Sequence, residues 1–134
     1  MLAHFNDVCD HIQSSGYDLK LVNAMSDFAD ITHRQGIIVD AEAYLTHKSW
    51  YDQYGDLYPI KTADLIRRGT VILEEELNQA RLGREQLRKE LTSLMDEHGI
   101  DLWLSPGAPG AAPKGLDSTG DPVMNLPWTH CGLP

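Results

Sequence analysis

A stripe of apolar side chains between residues 73 and 94 constrains this chain more than any other feature. Leu73, Leu77, Ala80, Arg84, Leu87, Leu91 and Leu94 recur at alternating steps of four and three, the spacing that sets side chains on one face of an α-helix. A helix with one apolar face must bury it against other elements. The pattern stops at His98-Gly99, and glycine suits the left-handed residue that closes many helices. Ile100 to Leu104 follow as a short apolar run with the character of a buried strand.

The upstream residues read as a support for that strand. Leu2, Phe5, Val8, Cys9 and Ile12 repeat at helical spacing ahead of Gly16, a short amphipathic helix. Tyr17, Leu19 and Leu21 then alternate with Asp18 and Lys20, the period of a strand over Tyr17 to Val22. Ser26 is expected to cap a second helical region, carried by Ile37, Ile38, Ala41, Tyr44 and Leu45 towards Tyr51 and broken or kinked at Gly36. Gly55 to Pro59 is a turn, and a third helical region starts at Lys61 and is interrupted or bent at Gly69. The expected fold class is therefore α/β: helix-rich, with one or two short strands, Tyr17 to Val22 and Ile100 to Leu104, belonging to a larger mixed sheet covered by helices. No repeat or linker divides residues 1–134, so one domain with no internal boundary is expected.

The last third, from Ile100 to Pro134, turns rich in Gly and Pro after Ser105-Pro106 and still carries Met124, Leu126, Trp128 and Leu133. Tails that stay unfolded lack such groups, so this segment packs against something. Its order is specific: a short strand ending in Ser-Pro, the pair Ala112-Pro113, then DSTGDPVMNLPWTHCGLP. Upstream stand Ala41-Glu42-Ala43 with His47, the pair Arg68-Gly69, and Ala80 with Arg81 and Arg84. Taken together, nearly the whole chain resembles the C-terminal half of the amidase signature enzymes.

That resemblance implies an amidohydrolase that cleaves a carboxamide C–N bond with a Ser, cis-Ser and Lys triad. It also implies that the Lys and a serine- and glycine-rich signature precede the region matched here and that further strands follow it. The expectation is a partial amidase domain, cut at both ends and inactive by itself, with no catalytic residue of its own. Its partner would be the remainder of an amidase chain or a complementary fragment, with self-association through exposed apolar surface. A non-catalytic helical binding or assembly module, or one half of a split amidase, are the alternatives. Asn125, Trp128 and Thr129 would then lie near the acyl pocket as substrate-binding residues, although Met124, His130 and Cys131 stand where the family uses other aromatic or aliphatic groups.

Composition narrows the partners. A net charge of -9, with Arg81, Arg84, Arg88 and Lys89 interleaved among glutamates, argues against a nucleic-acid surface. No apolar run approaches the roughly 20 residues of a membrane span, and the first residues lack a signal peptide's basic start. Two cysteines, Cys9 and Cys131, make no disulfide framework, which points to reduced thiols in the cytoplasm. Neither a cofactor nor a metal is called for.

Other candidate residues have plainer explanations. Ser14-Ser15-Gly16 resembles a serine signature, yet no Lys precedes it, and two serines before a glycine suit a helix end. Arg84 interrupts the leucine stripe and must either pair with an acid such as Glu42 or carry its charge out to water. His4, Asp7 and His11 share a helical face, a spacing too common to specify a metal. Prolines remove the N–H donors that a phosphate loop over Gly107 to Gly115 would need. Trp128 and Asn125 can serve a pocket wall or simply the core and a loop backbone, because both are built from the same residue types.

Overall fold

The computed structural model describes residues 2–133, so Met1 and Pro134 lie outside the described residues. Among these are five α-helices: α1 (Leu2–Ser14), α2 (Phe28–Tyr54), α3 (Ile60–Gly69), α4 (Glu74–His98) and α5 (Leu126–Cys131), with a 3-10 turn at Gly55–Leu57 between α2 and α3. The stripe holds in its central part, with Leu77, Ala80, Leu87 and Leu91 buried, while Leu73 precedes the helix and is exposed. Three glutamates in the first turn of α4 favour its positive end, and Glu76 reaches back to accept from the Leu73 N–H at 2.9 Å. At the other end Gly99 adopts φ 58°, and Ile100 N–H donates to the Met95 carbonyl at 3.0 Å, using acceptors the helix leaves free.

On α2 the buried residues Ile31, Gln35, Ile38 and Ala41 step by four and three. Ile31 meets Leu87 and Leu91, whereas Ile38 and Ala41 meet Leu77 and Ala80. Later residues of α2 thus face earlier residues of α4, and the two helices run antiparallel. Helix α2 begins after Asp27 rather than at Ser26; Asp27 makes no capping bond and instead pairs with Arg34 at 2.8 Å. Gly36 does not break α2, which runs without interruption from Phe28 to Tyr54. It sits in open space on the exposed side, where a glycine costs about 1 kcal/mol relative to alanine, too little to interrupt a helix held at Ile31, Ile38 and Ala41.

Helix α3 folds back on α2 in the most extensive helix contact of the molecule. Ala63, Ile66 and Gly69 face α2, and the approach at Gly69 is so close that a Cβ there would fall 2.1 Å from the Asp40 carbonyl oxygen. Arg68 locks the same end by a two-point bond to the Asp40 carboxylate, at 2.7 and 2.8 Å.

The expectation of an α/β fold fails. Neither Tyr17 to Val22 nor Ile100 to Leu104 is a strand, and the described residues contain no sheet. The cause is physical: a strand completes its backbone hydrogen bonds only against a neighbour, and neither segment has one. One tie joins their surroundings, Lys20 Nζ donating to the His98 carbonyl at 2.8 Å. Leu21 and Leu102 remain 101% and 86% exposed, so the apolar pattern is present but unused. Trp103 turns inward, onto the cluster of Ile31, Leu87, Leu91 and Cys131, and Leu19, Val22 and Ile100 are half-buried. Among the described residues no helix is long and apolar enough to cross a membrane.

Candidate groove between helix α1 and the proline-glycine loop

Helix α5 is short because Pro127 opens it, where a missing N–H is tolerated, and Gly132 closes it at φ 66°. It packs against α2 and α4 and buries Pro127, His130 and Cys131. Trp128 lies half-buried on the Ile31 and Leu91 cluster, its ring tilted against Trp103 at 6.2 Å between centroids.

From there two side chains reach the chain after Leu104. Trp128 Nε1–H donates to Ser105 Oγ at 3.1 Å, and Asn125 Nδ2–H donates to the Gly107 carbonyl at 3.3 Å. The loop so held forms one wall of a groove of about 470 Å3, whose other wall is Phe5 and Val8 of α1 with His4 at its edge. That volume falls within the range of small-molecule sites. Leu104, Pro106 and Ala108 keep the wall apolar, and no carboxylate or lysine lines it. Ser105 accepts from Trp128 and so keeps its own hydroxyl hydrogen to donate. An uncharged ligand with an apolar body and one acceptor suits such a surface.

Of the three expected substrate-binding residues, Trp128 and Asn125 stand behind this wall rather than on it, and Thr129 is exposed on α5. Trp128 packs in the core and Asn125 satisfies a loop carbonyl, and together they hold the loop that lines the groove. A second groove of about 520 Å3, between α2 and α4, is lined by Arg34, Glu75 and Gln79 among others and includes none of the three.

The remaining candidates take structural roles. Ser14 and Ser15 hydroxyls both donate to the His11 carbonyl, at 2.8 and 2.9 Å, closing α1 ahead of Gly16 at φ 95°. Glu42 pairs with Arg81 at 3.0 Å, not with Arg84. Arg84 instead donates from Nε to the His130 carbonyl at 2.9 Å. His4, Asp7 and His11 are exposed, and among the described residues no three His, Cys, Asp or Glu are grouped to hold a metal. His47 meets the Tyr58 hydroxyl through Nδ1 at 3.0 Å and joins Trp50 in an edge-on contact at the turn end of α2.

His130, which the sequence marks only as a departure from the family pattern, makes a buried pairing. Its ring is wholly buried, with Nδ1 at 3.2 Å from Gln35 Oε1. A polar residue on an otherwise apolar face, as Gln35 is between Ile31 and Ile38, was the available sequence signal. No family model matches the chain, and neither does any curated protein or solved structure.

Proposed function

We propose that this chain is the helical frame of an amidase signature amidohydrolase, forming a pocket wall while the groups that react come from outside residues 1–134. The carrying observation is the pair of extended segments, Tyr17 to Val22 and Ile100 to Leu104. Each holds a strand's apolar pattern, has no ladder, and leaves Leu21 and Leu102 in water. Apolar side chains left in water in this way favour contact with a further polypeptide. The motif order, from Ala41-Glu42-Ala43 to the run MNLPWT, supports the family, and the uncharged groove beside Ser105 supports a neutral carboxamide.

In the complete enzyme an upstream Ser attacks the carbonyl carbon, and the Lys and cis-Ser pair takes its proton and passes it to the leaving amine. Water then releases the acid from the acyl-enzyme. The present chain contributes walls and supports to this reaction. A cytoplasmic setting accords with free Cys9 and Cys131. The partner is the remainder of an amidase chain or a complementary fragment, and without it the apolar segments favour self-association.

Mixing tests this. The chain is combined with a polypeptide carrying the Lys and the serine-rich signature, and ammonia release from a simple carboxamide is measured. Activity is expected in the mixture alone. An inert, monodisperse monomer that never binds the complement would instead mark a non-catalytic assembly module. Ammonia release by the chain alone, abolished in Ser15→Ala, contradicts the proposal.

A further inference from the structure

Helix α5 has six residues, too few to persist without tertiary contacts. Its docking runs through His130, which is 0% exposed. Nδ1–H of His130 donates to Gln35 Oε1 on α2, and Gln35 is itself buried. The backbone carbonyl of His130 accepts from Arg84 Nε on α4. Its remaining nitrogen, Nε2, is buried with no hydrogen-bond partner among the described residues.

The charges that act on this ring are unequal. From α2 comes Arg34, whose Cδ and Nε lie across Gly83 of α4; from α4 comes Arg84; and Asp27, ahead of α2 and already paired with Arg34, is the sole acid among them. A proton added at Nε2 would sit buried, without an acceptor, beside two guanidinium groups. Uncompensated buried charge of this kind is among the costliest states in a protein interior.

We propose that α5 is a latch that protonation of His130 releases, withdrawing Trp128 and Asn125 from Ser105 and Gly107 and so dismantling the loop wall of the groove. The latch rests on the packing of α2, α4 and α5 alone; only the identity of the groove as a substrate wall rests on the amidohydrolase proposal. Burial first, and then the charges of Arg34 and Arg84, hold the ring from its ordinary 6.5 down to about 4, with Asp27 opposing. The docked state therefore binds fewer protons than the released one. Docking is at full strength above 6.5 and weakens as pH falls from 6.5 towards 4.

The full chain is titrated from neutral pH to 4 while tryptophan emission and the ring resonances of His130 are followed; no substrate enters the readout, so failure of the amidase proposal leaves it intact. The expected result is a His130 ring that stays neutral well below 6.5, and a red shift of emission as Trp128 leaves the core. In His130→Gln, which cannot take the proton, that shift flattens. If His130→Gln does not fold, Arg84→Gln decides: with one cation removed, the ring takes up its proton at higher pH than in the parent chain. An emission change identical in His130→Gln, an unmoved ring titration in Arg84→Gln, or a ring that protonates near 6.5 with α5 still docked overturns the latch.

Discussion

Leu91 and Leu102 stand eleven residues apart in one chain, yet Leu91 is wholly buried and Leu102 is 86% exposed. The first belongs to a helix, which closes its own backbone hydrogen bonds and needs only a surface to lie on. The second belongs to an extended run, which needs a neighbour for its backbone before its side chains can be covered. Between α2 and α4 both needs are met inside the chain. After Gly99 the second is not met, and the same kind of apolar pattern yields exposed surface instead of a sheet.

Substitutions sharpen this contrast. Leu91→Ala removes a side chain from the cluster with Ile31, Leu87 and Cys131, and the expected loss is about 4 kcal/mol in denaturant unfolding. Gly69→Ala drives a methyl into the Asp40 carbonyl and the Tyr44 Cβ; α3 must lift from α2, at a cost of about 3 kcal/mol. Acid acts on the other end of the same frame. Because the unfolded His130 protonates near 6.5 and the folded one near 4, the frame loses up to about 3 kcal/mol between these values, a loss absent from His130→Gln in the same unfolding series. Leu102→Ser is the counterpart of Leu91→Ala. With its side chain already in water, unfolding changes by about 0.5 kcal/mol or less, while self-association measured by sedimentation declines. A large destabilisation by Leu102→Ser would erase the contrast between the two regions.

What the sequence makes legible follows the same division. Helix α4 could be read from residues 73 to 94 because a helix's partners lie three and four residues away in the sequence itself. The strands could not, because the pattern of Tyr17 to Val22 states a readiness to pair and not whether a pair exists. Gly36 misled for a related reason: a glycine penalty of about 1 kcal/mol is local, and burial elsewhere along α2 outweighs it. At the groove, Trp128 and Asn125 were visible as residue types, but their bonds to Ser105 and Gly107 span 23 and 18 residues of loop. The link between His130 and Gln35, 95 residues apart, leaves one local sign, a polar residue on the apolar face of α2.

Backbone amide exchange on the isolated chain tests the central claim most directly, because it reads each segment's hydrogen bonds separately. Slow exchange is expected across the middles of α2 and α4, with residues 18–22 and 101–104 exchanging as an unpaired chain. Protection in those two extended segments equal to that of Leu87 to Leu91 would mean that they already have partners, and would contradict the account.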